Sequence, residues 1–254
     1  MITSIIVSGE GRTDIGGSHS GQAIATGVDF EKGPMYILIE RMLARFVPDW
    51  NADLWETNPL EVSYVSHGFL KRKAKERAKG NGKFTFASKT LHQEHNGKYK
   101  HTRELAGLAT ERGCQLAVYF IDTDGRNEDK DDSSQLQQKI VQALNEGYIK
   151  GGFNGGVAMV PKPTSEAWLI CHCQTSPYAN CSILETRLSG NDNCPDENSP
   201  KKELERFIGV GYDDALVFDK VETLDIDQLD MPSFNRFKDD LKSAIAATGL
   251  QVKD

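Results

Sequence analysis

The chain has 254 residues, 38% of them apolar, and a formal net charge of -7. This length and composition predict one large α/β domain with a buried core, or one such domain with a smaller appendage. The excess of negative charge excludes a protein that attracts nucleic acid through a broad positive surface, because such binding requires many Lys and Arg contacts to phosphate.

The N-terminal apolar run stops at Ser8 and no basic leader precedes it. It is too short for a secretory signal or a membrane span, so we expect a cytoplasmic protein without a membrane partner. The five cysteines are an odd and scattered set, which argues against a disulfide framework. Their spacing lacks a C-x2-C pair, so we expect buried thiols and no zinc site.

Strand and helix patterns alternate along the first two thirds of the chain. Residues 3 to 8 form a β-branched run that ends at Gly9, which is typical of a buried parallel strand. Pro34 begins a helix with apolar residues at helical spacing, and Pro48 ends it. Residues 61 to 66 form a second short strand.

The pattern continues after a polar gap. We predict a helix over residues 101 to 112, a central strand over 115 to 121, a helix over 133 to 145 and a last strand over 157 to 160. This alternation indicates an α/β fold with a mostly parallel, doubly wound sheet. In such sheets functional groups gather at the carboxyl ends of the strands.

Residues 71 to 100 form a basic, glycine-interrupted insertion without clear periodicity. Its aromatic residues are Phe84, Phe86 and Tyr99. We predict that it binds nucleic acid, although a solvated helix face that runs into a loop is an equally good interpretation. The predicted binding residues are Lys71, Arg72, Lys73, Lys75, Arg77 and Lys79.

The composition changes near residue 174, where Ser, Asn, Asp and Pro become frequent. Pro200 then begins a helix, and a final helix after Pro232 has an apolar stripe that should pack on the core. We therefore divide the chain into an α/β domain of residues 1-172 and a helical C-terminal extension of residues 173-254.

Five carboxylates follow the ends of predicted strands. Glu10 and Asp14 come after the first strand, Asp122 and Asp124 after the central strand, and Glu166 shortly after the last. Carboxylates that crowd together repel one another unless a hard cation neutralises them. The sequence therefore predicts a divalent-metal site, with Mg²⁺ or Mn²⁺ as the cofactor.

Two of these patterns resemble a known family. Glu10-Gly11 with Thr13-Asp14, and Asp122-x-Asp124, resemble the signature motifs of the TOPRIM fold of topoisomerases, bacterial primases and OLD-type (overcoming lysogenisation defect) nucleases. The spacing of Glu10 and Asp14 is most similar to the OLD-type branch. The segments around Glu166, Pro200 and Pro232 resemble small bacterial TOPRIM proteins of phage defence. The motif resemblance covers roughly residues 1 to 172.

The resemblance implies a metal-dependent nuclease that cuts DNA or RNA by a one-metal or two-metal mechanism. Asp14, Asp122 and Asp124 would bind the metal, and Glu10 would bind a metal or take the proton from the attacking water.

Two further residues would assist this reaction. Glu166, at a helix start that we expect Thr164 to cap, would complete a second metal site. Lys162 would stabilise charge on the phosphate or the leaving oxygen.

The sequence lacks a G-x-x-x-x-G-K-[ST] motif, so an ATPase partner would be a separate subunit. A homodimer would place two such sites on the two strands of a duplex. The main alternative to a nuclease is a TOPRIM binding subunit that regulates an ATPase complex without catalysis of its own.

Each site residue also has a structural interpretation. Glu10 and Asp14 would suit a turn and a helix start, and the Asp122 motif would suit a strand-to-turn junction. Glu166 would complement a helix N-terminus, and Lys162 would be an ordinary surface lysine.

The histidines and Trp168 call for structural interpretations as well. The spacing of His92, His95 and His101 would allow them to bind a metal, but we expect that they bind none. We expect Trp168 in the core.

Overall fold

A computed structural model describes residues 2–48, 60–80, 96–123, 133–189, 194–209 and 214–253. The described strands are β1 Ser4–Gly9, β2 Gly16–Ser18, β3 Ile24–Thr26, β4 Phe30–Lys32, β5 Glu61–Ser66, β6 Leu116–Phe120 and β7 Gly156–Met159. Five of them form one sheet in the order β3-β5-β1-β6-β7, and β2 pairs with β4 in a separate ribbon. Strands β5, β1, β6 and β7 are parallel, and only the edge strand β3 is antiparallel.

Helices precede, connect and follow these strands. The described α-helices are α1 Arg12–Ile15, α2 Pro34–Phe46, α3 His67–Gly80, α4 Asn96–Glu111, α5 Ser133–Lys150, α6 Glu166–Cys173, α7 Leu184–Arg187, α8 Pro200–Ile208, α9 Asp214–Thr223 and α10 Pro232–Ala247. The predicted α/β fold with a mostly parallel sheet is therefore confirmed. None of the helices in the described ranges is long and apolar enough to cross a membrane.

The central strand β1 has apolar side chains on both faces. Ile5 and Val7 face a core that includes residues of α2, α6, α9 and α10, whereas Ile6 faces a core that includes residues of α3, α4 and α5. A strand covered on both faces has no polar alternation, which is why its sequence reads as a continuous apolar run. The sheet is thus the middle layer of three.

The C-terminal helices belong to the first of these cores. Trp168 of α6 is fully buried, as predicted, with its ring centroid 5.1 Å from that of Phe234 and 6.0 Å from that of Phe237. Its indole Nε1 donates a 2.8 Å hydrogen bond to Ser233 Oγ. The last helix therefore packs on the core, as its apolar stripe predicts.

Two features of the secondary structure go beyond the sequence-based prediction. The basic insertion is not irregular at its ends, because residues 67 to 80 form α3 and residues 96 to 100 are the first turns of α4; residues 81 to 95 lie outside the described part. The stretch between Ile15 and Gly33 contains β2, β3 and β4. Such three-residue strands are too short to show a period of two.

The expectation of five thiols is wrong for two cysteines. Cys171 and Cys181 form a disulfide, whereas Cys114, Cys173 and Cys194 are free. The pair links α6 to the start of the C-terminal extension across ten residues of sequence. A proximity of this kind depends on the turn at residues 174 to 180, which spacing alone does not reveal.

Candidate functional site

The carboxyl ends of the parallel strands bring several predicted site residues to one edge of the sheet. Glu10 follows β1, and its backbone N–H donates a 3.1 Å hydrogen bond to the carbonyl of Phe120, the last residue of β6. A Cβ atom at Gly9 would lie 2.6 Å from that same carbonyl oxygen, so only glycine allows the two strands to approach this closely. Glu10 and Asp122 thus emerge from neighbouring strands.

Ser165 joins two of the predicted metal ligands. Its backbone N–H donates a 3.1 Å hydrogen bond to Asp122 Oδ1, and its hydroxyl lies 3.5 Å from Asp14 Oδ1. Asp14 reaches this position because the chain turns at Gly11, which has a φ of 83°. A side chain at Gly11 would be strained by that φ and would also collide with the Asp14 carboxylate. The sequence predicts that Asp14 and Asp122 lie close together, and in the structure both contact Ser165.

The Asp14 carboxyl group has a raised pKa. Burial, and next the negative charge of Glu166, raise the pKa of Asp14 from 3.8 to about 6. The positive charge of Lys201, in the first turn of α8, opposes this rise. The helical extension therefore supplies a cation to the same edge of the sheet, which the sequence analysis did not predict.

Glu166 and Lys162 are both buried, with exposed fractions of 5% and 3%. Glu166 is the first residue of α6, as predicted, but Ser165 and not Thr164 precedes it as the N-cap residue. The hydroxyl of Thr164 is buried and makes no hydrogen bond, so the expectation that Thr164 caps this helix is wrong.

The surroundings of Lys162 connect the sheet with the C-terminal extension. Burial raises the pKa of Glu185, and the positive charge of Lys162 is among the effects that oppose this rise. Glu185 is itself buried and accepts a 2.8 Å hydrogen bond from the backbone N–H of Ser233. The positive charge of Lys162 therefore offsets a small part of the cost of burying the Glu185 carboxylate.

A cluster of two histidines and a tyrosine lies next to Glu10. His67, the first residue of α3, has its Nε2 3.7 Å from Glu10 Oε1 and its Nδ1 2.9 Å from the Tyr119 hydroxyl. His101 Nδ1 lies 3.2 Å from the same hydroxyl. Burial lowers the pKa of both imidazoles, that of His101 to about 3, so both are neutral at pH 7.

The basic residues of α3 lie beside this cluster. Lys71, Arg72, Lys75, Arg77 and Lys79 are exposed, and Lys73 is half-buried. The positive charge of Lys71 is one of the causes that lower the pKa of His67 and His101, which places this end of the helix next to the site.

Three contacts organise this basic surface. The guanidinium of Arg72 and the ammonium of Lys73 lie 5.1 and 5.6 Å from the centroid of the Phe69 ring. Arg77 Nε forms a 2.8 Å ion pair with Glu104, a buried residue of α4. Arg77 is thus partly neutralised, whereas the lysines keep the positive charge of the surface.

A complete metal cage is not formed by the described side chains. Within the described ranges, no three His, Cys, Asp or Glu side chains are close enough together to hold a metal ion. Asp124, the second aspartate of the motif, lies outside those ranges, as do His92 and His95. The described carboxylate oxygens still suit a hard cation, because Asp14 is partly buried and the negative charge of Glu166 adds to the burial that raises its pKa.

Sequence reasoning missed four residues of this edge: His67, Tyr119, Ser165 and Lys201. His67 had a usable signal, because it directly follows strand β5 just as Glu10 follows β1. Tyr119 lies inside an apolar strand and Lys201 lies far along the chain, so nothing in their local sequence distinguished them.

No family model, curated protein or solved structure matches this chain.

Proposed function

We propose that this chain is a metal-dependent nuclease of the TOPRIM type that hydrolyses phosphodiester bonds of DNA or RNA. The observation that carries the proposal is the convergence of Asp14 and Asp122 on Ser165, with Glu166 close enough to Asp14 to raise its pKa. The position of these groups at the carboxyl edge of a parallel sheet supports it, since active sites of open α/β sheets lie there.

The carboxylates would hold Mg²⁺ or Mn²⁺. Because no three described side chains are close enough together to hold one ion, at most two of Asp14, Asp122 and Glu166 would bind it. Asp124, a further predicted ligand, and water oxygens would complete its coordination. When bound, the ion polarises the phosphate and lowers the pKa of the attacking water. Glu10, whose side chain is half-exposed, would bind a metal or accept the proton of the attacking water.

Positive groups surround this edge and would position a nucleic acid. The exposed lysines of α3 would bind the phosphate backbone, which supplies affinity without reading the sequence. Lys201 would stabilise charge near Asp14. Lys162 remains predicted from the sequence as a catalytic residue, and its burial beside Glu185 favours a supporting role.

The biological setting rests on the resemblance alone. The similarity to small bacterial TOPRIM proteins suggests the effector of an anti-phage defence system, controlled by a separate ATPase subunit. A homodimer would allow two sites to cut both strands of a duplex.

Cleavage by the purified chain tests the proposal. Supercoiled plasmid and total transfer RNA are incubated with Mg²⁺ or Mn²⁺, beside Glu10→Gln and Asp122→Asn. Glu146→Gln, an ordinary helix-surface change in α5, is the matched control. Cleavage that the first two changes abolish and the control retains supports a nuclease, and the substrate that is cut identifies its class. Cleavage that survives Asp122→Asn would overturn the site.

One observation favours the alternative of a non-catalytic binding subunit. The described side chains do not form a preassembled cage of three ligands. If the chain is a binding subunit, nucleic acid or a partner ATPase should bind equally well to the wild type and to Glu10→Gln. Neither protein should then cut nucleic acid. This outcome distinguishes the two functions.

A further inference from the structure

The imidazole of His67 is held with one nitrogen facing Glu10. Its Nδ1 lies 2.9 Å from the Tyr119 hydroxyl, and its Nε2 lies 3.7 Å from Glu10 Oε1. A separation of 3.7 Å is too long for a hydrogen bond, so Nε2 and the carboxylate face one another without a direct bond. The two atoms thus lie at a separation that is typical of two ligands of one metal ion.

The cluster behind His67 fixes this orientation. Tyr119 is fully buried in β6, and its hydroxyl also lies 3.2 Å from His101 Nδ1. The His101 ring packs edge-on against the His67 ring, with 4.5 Å between centroids. Because a tyrosine hydroxyl has one proton, it donates to one Nδ1 and accepts from the other. When His67 Nδ1–H donates to the Tyr119 oxygen and the Tyr119 hydroxyl donates to His101 Nδ1, Nε2 of His67 is unprotonated and presents its lone pair toward Glu10.

We propose that His67 Nε2 and Glu10 Oε1 bind one divalent transition-metal ion together, and that the nitrogen ligand makes this position prefer Mn²⁺ to Mg²⁺. Metal–nitrogen and metal–carboxylate bonds are each roughly 2.0–2.2 Å long, so two ligands of one ion lie about 3 to 4 Å apart. The observed 3.7 Å falls in that range.

The surroundings of His67 match those of a metal ligand. An imidazole that binds a metal through one nitrogen has its other nitrogen hydrogen-bonded to a group that fixes the ring, and Tyr119 serves here. Mn²⁺ has the lowest affinity of the first-row transition metals for such ligands, but as a softer ion than Mg²⁺ it gains more from a nitrogen ligand. Water and substrate oxygens would complete the coordination. This inference deepens the proposed nuclease function, on which it rests for the catalytic use of the ion.

Electron spin echo envelope modulation of Mn²⁺ bound to the full chain tests the assignment directly, because it detects a nitrogen nucleus that ligates the ion. We expect ¹⁴N modulation in the wild type and none in His67→Ala. The Mn²⁺ dissociation constant should rise by about tenfold in His67→Ala, and that of Mg²⁺ by less than about twofold. His19→Ala, which removes an exposed histidine after β2, is the matched control and should keep both the signal and the affinity.

A second variant separates ligation from folding. Tyr119→Phe keeps the buried ring but removes the hydroxyl that fixes the imidazole, so it should keep the ¹⁴N signal while weakening Mn²⁺ binding. Absence of Mn²⁺ binding, absence of ¹⁴N modulation in the loaded wild type, or an unchanged signal in a folded His67→Ala overturns the proposal. If ¹⁴N modulation is observed but the chain cuts no nucleic acid, only the proposed nuclease function is refuted. If Mn²⁺ supports cleavage but no ¹⁴N modulation is observed, only the assignment of His67 as a ligand is refuted.

Discussion

The backbone N–H of Ser165 donates a 3.1 Å hydrogen bond to Oδ1 of Asp122, a residue 43 positions earlier in the chain. The bond joins the carboxyl end of β6 to the start of α6, so two elements of the candidate site are fixed relative to each other. Hydrogen bonds to carboxylates are stronger than those between neutral groups, so this bond should contribute to stability in addition to the metal-binding role proposed for Asp122.

Substitution of Asp122 should separate these two roles. Asp122→Asn keeps an oxygen that accepts from Ser165 N–H, so the free energy of unfolding should change little while cleavage falls by at least about a hundredfold. Asp122→Ala leaves the Ser165 N–H without its acceptor and should cost about 1 to 3 kcal/mol of stability. Urea unfolding beside a cleavage assay measures both effects, and equal stability losses in the two variants would contradict this account.

Asp14 should make stability depend on pH in the absence of metal. Its folded pKa of about 6 lies above its ordinary 3.8, so the folded state binds a proton that the unfolded state releases between these values. Stability should therefore fall as pH rises from about 4 to about 6, by up to about 3 kcal/mol. Asp14→Asn removes this decrease, so it should match the wild type near pH 4 and exceed it at pH 7.5 in urea unfolding with EDTA.

A distant carboxylate provides the control for this pH effect. Burial also raises the pKa of Asp240 of α10, which lines a cavity of about 280 Å³ beside Gly156 at the amino end of β7. Asp240→Asn should reduce the pH dependence in the same direction. Added Mg²⁺ should stabilise the wild type and Asp240→Asn but not Asp14→Asn, and equal stabilisation of all three would place the ion elsewhere.

Neutralisation of the α3 lysines should weaken nucleic-acid binding through electrostatics alone. Lys71→Gln and Lys75→Gln should each lower affinity for all sequences alike. Each should also reduce the slope of log K against log salt by roughly one. Lys150→Gln removes the same charge at the far end of α5 and should leave the slope unchanged. Fluorescence anisotropy over a salt series measures these slopes, and a slope that Lys150→Gln reduces equally would indicate only a net-charge effect.

Removal of Lys162 should destabilise the fold more than it impairs the chemistry. Lys162→Met removes a positive charge that favours the ionised form of the buried Glu185 carboxylate, so the free energy of unfolding should fall. The double variant with Glu185→Gln should recover most of that loss and also the cleavage activity. A double variant that is stable but inactive would instead establish Lys162 as a catalytic residue.

The fold was predictable where a pattern repeats within one element. The apolar run of β1 and the helical stripes of α2 and α10 each contain enough residues to define a period, and these elements are where the sequence predicts them. Strand β3 has only three residues and pairs with β5 across 37 or more positions, so its place depends on tertiary contacts. The start of α4 at Asn96 was missed because its first turns are polar.

The candidate site was predictable from strand ends but not from side-chain contacts. Glu10 and Asp122 follow buried strands, and the topology of a parallel sheet is enough to bring them to one edge. Lys201 approaches Asp14 only because α8 packs against α6, and Tyr119 meets His67 only because β6 and α3 share a core. Such contacts are set by packing between elements, which no local motif encodes.

The burial of Trp168 between the sheet and α10 joins the α/β domain and the last helix in one hydrophobic core. A fragment that stops at residue 172 would expose the apolar face of α6, and Ser165 and Glu166 lie at the start of that same helix. A ligand that displaces α10 would therefore also shift Ser165 and Glu166. The C-terminal helices thus support the candidate site, and a partner that binds them would be able to change its geometry.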